Sequence, residues 1–217
     1  MARIARVVVP NYPHHITQRG CRRQKTFFCK RDYQYYLNLA LEAKQKAVVE
    51  VWAYCLMPNH VHMILVPGSE DGLKEYLAPI HHKYALTINK RMRWKGHFWQ
   101  ERFYSTVMDE IHLLQAVRYV ELNPVRAKLC DRAQDWKWSS ARAHVTGNDD
   151  QLVKVKPLLE RVNNWPAYLT DCSDFDNELR KHTRTGRPIG ERDFLLQIEA
   201  LTGRRVRKKK PGPRSGN

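Results

Sequence analysis

The sequence predicts an α+β fold: a ferredoxin-like antiparallel sheet with helices on one face, followed by a helical C-terminal extension. Three observations predict it. Residues 7–108 read as strand, helix, strand, strand, helix, strand, the β-α-β-β-α-β order. The segments 48–56 and 60–67 are separated by little more than Pro58 and Asn59, which makes them an antiparallel hairpin. Beyond residue 128 the strand pattern ends and short helical stretches replace it.

Each element has its own local reason. Residues 7–19 are extended, with β-branched Ile16 and Thr17, and Gly20 ends them. A basic loop, 20–25, follows. In 32–47 the apolar residues Tyr36, Leu37, Leu39, Ala40 and Leu41 recur at helical spacing without Gly or Pro. Val48, Val49, Val51, Trp52 and Tyr54 make the next strand, and 60–67 returns beside it. A second helix spans 72–92, with a bend expected near Pro79. Residues 94–99 form a loop, and 100–108 have strand character. Asp109 is the expected N-cap of a helix over 110–122. That helix should stop near Asn123, because a residue before proline leaves the α region, with Pro124 opening a short further helix. In the extension, helical pieces are expected from 136, over 152–162, over 174–181 and over 191–201. The organisation read from this pattern is a core over 1–130, a helical extension over 131–202 and a disordered basic tail over 203–217.

A chain of 217 residues, 42% of them hydrophobic, can bury a core with an appendage, which excludes a wholly disordered protein. Its 38 Lys+Arg against 22 Asp+Glu leave a net charge of +16, which favours a polyanionic partner, nucleic acid first. The apolar run Val7-Val8-Val9 is too short for a signal peptide, and no later stretch is long enough to span a bilayer. The five cysteines are widely spaced and odd in number, which argues for reduced thiols in a cytoplasmic protein rather than a disulfide framework; with the basic charge, the expected location is cytoplasmic and nucleoid-associated.

Chemistry concentrates at His60-Val61-His62. Residues two apart on a strand share a face, so both imidazoles project together as half of a divalent-metal site. A wet strand face would carry the same pattern. Tyr119 and Asn123, four residues apart, share one face of the 110–122 helix. Two imidazoles, an amide oxygen and a phenol suit one reaction: a metal polarises a phosphodiester and the tyrosine attacks phosphorus. A free phenol titrates near about 10, so it needs a metal, cation or base to act. The plainer readings are a packed tyrosine, an asparagine that only stops a helix, and Glu121 as a solvated carboxylate. His14 and His15 face opposite ways on a strand, so at most one serves this site. His81 and His82 read as surface or phosphate-contact residues.

Candidate DNA contacts are Arg19, Arg22 and Arg23, then Arg118 and Arg126 around the tyrosine, and Arg187 in the 186–190 loop. Lys95, Trp99 and Arg102 belong to a stretch, 90–102, that interleaves cations with aromatics, suited to phosphates and unpaired bases. Lys208, Lys209 and Lys210 form the basic tail, which resembles a groove-reaching arm.

Five blocks carry a family resemblance: HITQRG at 15–20, MPNHVHMILVP at 57–67, GHFWQERFYS at 96–105, VRYVELNPVRAKL at 117–129 and WKWSSARAH at 136–144. They resemble the single-tyrosine HUH transposases of the IS200/IS605 type, and most of all the REP-associated tyrosine transposases. The resemblance implies an HUH nuclease core with His60 and His62 as metal ligands and Tyr119 as nucleophile. The family's third ligand is often a Gln on the tyrosine helix; here Asn123 takes the same-face position. It implies Mg²⁺ or Mn²⁺ as cofactor, His ligands suiting Mn²⁺ better. It further implies cleavage and joining of single-stranded DNA at hairpins of palindromic repeats through a 5′-phosphotyrosine link, with no membrane partner and either a monomer or a homodimer. The rival expectations are a non-catalytic structured-DNA binder or repressor that keeps the fold, and a metal nuclease in which water attacks.

Overall fold

A computed structural model describes residues 6–170 and 185–207. Four strands form one antiparallel sheet: β1 (His14–Arg19), β2 (Val49–Met57), β3 (His60–Pro67) and β4 (Tyr104–Val107), in the spatial order β2-β3-β1-β4. This is the ferredoxin-like arrangement, with β3 central. The β2–β3 hairpin turns at Pro58 and Asn59 and pairs Met57 with His60 and Cys55 with His62. A register shift between Val51 and Ala53 re-aims the second half of β2. After it, Tyr54 and Leu56 share a face with Met63 and Val61, while Cys55 and Met57 share the other with His62 and His60.

Helices α1 (Lys30–Lys44) and α2 (Gly72–Met92) lie together on one face of the sheet. Tyr36, Ala40, Leu77, Ile80 and Tyr84 bury against Ile16, Val51, Leu56, Val61, Met63 and Leu65. α2 has the bounds its periodicity predicts, and Pro79 lies inside it. The opposite face takes α3 (Glu110–Arg126), where Leu113, Ala116, Val117 and Val120 pack on Ala53, Cys55 and Ile64. Asp109 caps α3 as expected, its Oδ1 accepting the His112 N–H at 3.0 Å.

α3 does not stop near Asn123. It runs through Pro124 to Arg126. Proline forgoes one N–H bond to a carbonyl four residues back. Here only two helical residues follow it, and the Ala127 N–H still reaches the Asn123 carbonyl at 3.0 Å.

The extension contributes α4 (Ala141–Thr146), α5 (Lys156–Leu159), α6 (Trp165–Thr170) and α7 (Arg192–Thr202). α5 is shorter than the expected 152–162 helix, because Asp150 and Asp149 side chains accept the N–H groups of Leu152, Val153 and Val155 and hold that approach as a loop. The expected helix over 174–181 lies outside the described residues. The extension also covers both sheet edges. Leu56 N–H bonds the Trp138 carbonyl at 2.8 Å and Ser140 N–H bonds the Tyr54 carbonyl at 3.0 Å along β2. Ile189 N–H bonds the Val107 carbonyl at 3.0 Å along β4. Strand edges left open invite pairing with other chains, and these contacts close them.

Residues 203–207, expected to be disordered, are packed. Val206 is buried with Val7, Val9 and Ile198, and Glu199 accepts Arg207 Nε at 2.8 Å and the N–H groups of Val206 and Arg207. An apolar residue within the basic run supplies the anchor. Lys208, Lys209 and Lys210 lie outside the described residues. Among the described residues no helix is long and apolar enough to cross a membrane.

Candidate active site around His60, His62 and Tyr119

The period-two rule places His60 and His62 on the face of β3 that α3 covers. Their rings stand edge to face with centroids 4.8 Å apart. His62 is buried at mid-sheet, between Cys55 of β2 and Thr17 of β1. His60, at the start of β3, is half-buried. Burial disfavours the imidazolium, and the positive charge of Arg19 and the His15 ring add to this, so His60 is pushed down to about 3. Burial, then His60, His15 and the cations Arg19 and Arg126, hold His62 well below its ordinary value. Both rings are therefore neutral at physiological pH, the form that binds metals.

Their Nδ1 atoms are already engaged. His60 Nδ1 lies 2.5 Å from Asn59 Oδ1, an acceptor, so it donates there and leaves Nε2 with the lone pair. His62 Nδ1 lies 2.9 Å from His15 Nε2 and 3.2 Å from Thr17 Oγ1. His62 Nε2 is buried without a hydrogen-bond partner. An orphaned imidazole nitrogen beside a second neutral imidazole fits two positions of a divalent-metal site.

α3 brings Tyr119 to this pair. Its ring meets His62 edge-on at 5.5 Å and His15 at 6.3 Å, and the residue is 8% exposed. Arg126 lies over the Tyr119 ring, guanidinium to centroid 4.5 Å, and Nη2 donates to the Tyr119 carbonyl. Asn123 sits one turn on; its Nδ2 donates to the same carbonyl at 3.2 Å, leaving Oδ1 as its ligand-type atom. Among the described residues, no three His, Cys, Asp or Glu side chains form a metal-holding group.

Other expected contacts fall in different places. Arg22 and Arg23 are exposed beside the β2–β3 turn, where Asn59 Nδ2 donates to the Arg23 carbonyl at 3.2 Å. Lys95 and Arg102 are exposed, and Trp99 packs on α2, which covers the opposite face of the sheet. Trp99 donates its Nε1–H to the His81 carbonyl at 2.9 Å. Arg118 is not displayed for phosphate: it is 8% exposed and lies over the Tyr168 ring at 5.3 Å. One residue from Tyr119, it is turned about 100° around the helix and meets the extension instead. Arg187 is half-buried, its Nη1 donating to the Val206 carbonyl at 2.6 Å. His81 is not a surface residue; it is buried against Tyr36 Oη at 3.0 Å.

Two residues at the site's margin were not assigned from the pattern. His15 shares the α3 face with Thr17, and the antiparallel β1–β3 register brings both beside His62; the His15-Ile16-Thr17 alternation was the available signal. Glu121 is 0% exposed rather than solvated, and binds Ser140 and His144 of the extension. Ser140 and His144, four apart, are that network's sequence trace.

The chain is similar to several known proteins. The family model described as "Transposase IS200 like" matches residues 8–123. A REP-associated tyrosine transposase of Haemophilus influenzae is 24% identical over 125 residues, covering 48% of this chain and 71% of that one. The REP-associated tyrosine transposase of Escherichia coli is 23% identical over 109 residues, covering 50% of this chain and 64% of that one, just under two thirds of its length. The solved structure of a REP-associated tyrosine transposase bound to a REP hairpin superposes with a TM-score of 0.58 at 20% identity, over 71% of this chain and 93% of that one, which establishes a common fold. With the matched segment holding both histidines and the facing tyrosine, this chain belongs to the IS200-like transposase family.

Proposed function

We propose that this protein nicks and rejoins single-stranded DNA at hairpins of palindromic repeats, with Tyr119 as nucleophile. The observation that carries the reading is the Tyr119 ring edge-on to His62 at 5.5 Å with the Arg126 guanidinium 4.5 Å from the same ring. His60 and His62, with Asn123 Oδ1, would hold the cation. A divalent metal bound there supplies charge withdrawal from the non-bridging phosphate oxygens.

The chain's own residues do the rest. Arg126 lowers the electrostatic cost of a developing phenolate and attracts the phosphate. The Tyr119 oxygen bonds to phosphorus and its proton passes to solvent. The bond from phosphorus to the 3′ oxygen breaks, and that oxygen takes up a proton and leaves as a 3′-hydroxyl. The 5′ end remains as a phosphotyrosine ester. Attack by a 3′-hydroxyl on that ester returns the phenol and joins strands. A relative bound to a REP hairpin supports a hairpin substrate here, and the exposed Arg22 and Arg23 beside the site supply phosphate contacts.

The test is incubation with end-labelled hairpins, with Mg²⁺, with Mn²⁺ and with chelator. We expect a denaturation-resistant protein–DNA adduct that needs the metal and vanishes in Tyr119→Phe. An adduct that persists in Tyr119→Phe overturns the nucleophile. Hairpin binding without cleavage under any metal supports a non-catalytic binder instead.

A further inference from the structure

We propose that His15 is a positioning residue: its Nε2 accepts the Nδ1–H of His62, fixing the tautomer and the ring angle that present His62 Nε2 to the metal. The inference rests on the proposed metal site and assigns it a second layer on β1.

The geometry leaves few arrangements. The His15 and His62 rings are near-parallel, 9° apart with centroids at 5.1 Å, and Nε2 of one meets Nδ1 of the other at 2.9 Å. A hydrogen bond between two neutral imidazoles has one donor. If His15 donated, His62 would carry its proton on Nε2, a buried atom with no acceptor. If His62 donates, Nε2 holds a lone pair instead, and an unpaired buried acceptor beside His60 becomes satisfied when a cation arrives. Buried polar groups are paired, so the second arrangement is favoured. His60 obeys the same logic, its Nδ1 held by Asn59 Oδ1 at 2.5 Å. Both ligating rings are thus tied through Nδ1 and open through Nε2. His15 Nε2 is committed to His62 Nδ1 at 2.9 Å, which gives it the orienting role and not that of a ligand. Partners that orient a ligating histidine usually matter 10- to 100-fold, roughly, in metal affinity.

Thr17 Oγ1, at 3.2 Å from the same Nδ1, is the competing acceptor. The shorter contact and parallel rings favour His15, and the experiment separates the two. Imidazole ¹⁵N spectra of the metal-free protein are expected to show His62 protonated on Nδ1, and this signature should be lost in His15→Phe. Mn²⁺ titration followed by electron paramagnetic resonance should show affinity roughly 10- to 100-fold weaker in His15→Phe. His15→Gln, whose carbonyl can accept the same proton, should recover most of both signals and guards against a variant that fails to fold. Wild-type His62 protonated on Nε2 overturns the proposal, as does Mn²⁺ affinity unchanged in His15→Phe. Loss in Thr17→Val alone reassigns the role to Thr17 and also overturns it. If wild type binds no Mn²⁺, the metal reading fails, while the metal-free spectra still decide the hydrogen bond.

Discussion

Glu121 and His144 meet at 2.6 Å where solvent is excluded, His144 Nδ1 against Glu121 Oε1. The same oxygen accepts Ser140 Oγ at 2.7 Å, and Oε2 accepts Trp165 Nε1 at 2.9 Å. One carboxyl, two residues beyond Tyr119, therefore gathers donors from three places in the extension and pins it to α3. Removing it strands the His144 and Trp165 donors, each costing about 1–3 kcal/mol when left unpaired, while the Ser140 hydroxyl can still turn to the Tyr54 carbonyl at 3.3 Å. Glu121→Leu is expected to lower the unfolding midpoint by about 2–4 °C for each kcal/mol lost in a chain of this size. Glu121→Gln should lose less, since its one carbonyl oxygen can keep Ser140 and His144. Calorimetry reads both, and a Glu121→Leu midpoint equal to wild type would refute the anchoring role.

Asp32 and Arg91 give a second anchor, between α1 and α2. Arg91 reaches both carboxylate oxygens at 2.5 and 2.8 Å, and the Phe28 and Cys29 N–H groups bond Oδ2 at 2.8 and 3.2 Å. Burial would raise the Asp32 pKa, but the Arg91 bonds and these amides outweigh it and hold it below the ordinary carboxylate value. A depressed carboxylate stabilises above its unfolded value, near about 3.9, and that contribution is lost as pH falls through the folded value. Asp32→Asn should therefore destabilise at neutral pH and shrink the difference from wild type under acid. Parallel urea titrations at neutral and strongly acidic pH would show a constant difference if the pair contributes nothing.

The buried histidines away from His60 and His62 set stability higher up the pH scale. Burial pushes His81 down to about 3, and His14 to about 4 despite its bond to the Tyr12 carbonyl. His81 faces the Tyr36 hydroxyl and the Trp99 and Phe103 rings, none of which brings a negative charge to offset the burial of an imidazolium. The unfolded chain takes up protons near about 6.5 that the folded one refuses. Their contribution is complete above that value and declines as pH falls, at about 1.4 kcal/mol per pH unit for each ring. His81→Gln should flatten the stability slope between about pH 4 and 6 by one proton. Proton uptake on unfolding, measured by calorimetry in buffers of different ionisation enthalpy, checks the count directly.

How much of this was legible depended on the range of the interaction. The hairpin, His60 and His62 on one face, and α2 across Pro79 follow from period and turn chemistry, which are local. The end of α3 was misplaced because a proline's cost depends on how much helix follows it, and only two residues do. His15 needed the β1–β3 register, and Glu121 needed the position of Ser140 and Trp165. Residues 203–207 needed the pocket that Val7, Val9 and Ile198 make for Val206. The last three depend on partners distant in sequence, which local composition does not encode.

Arg22 and Arg23 provide a final test, of how DNA reaches the site. Both are exposed and both hold positive φ, 52° and 61°, a backbone that fixes where their side chains leave the chain. The Asn59 bond to the Arg23 carbonyl ties that turn to the residue before His60. If each neutralises one phosphate of a single strand, removing both should reduce the salt slope of log affinity by about 1.4. Asn is the suitable replacement, because it tolerates the left-handed backbone. Arg118→Ala makes the contrast. That side chain is buried over Tyr168, so its loss should lower thermal stability and leave the salt slope unchanged. Fluorescence anisotropy with a labelled hairpin over about 50–200 mM salt distinguishes these outcomes. A slope that falls for Arg118→Ala but not for the Arg22→Asn, Arg23→Asn pair would place the DNA on the α6 side of α3 instead of over the β2–β3 turn.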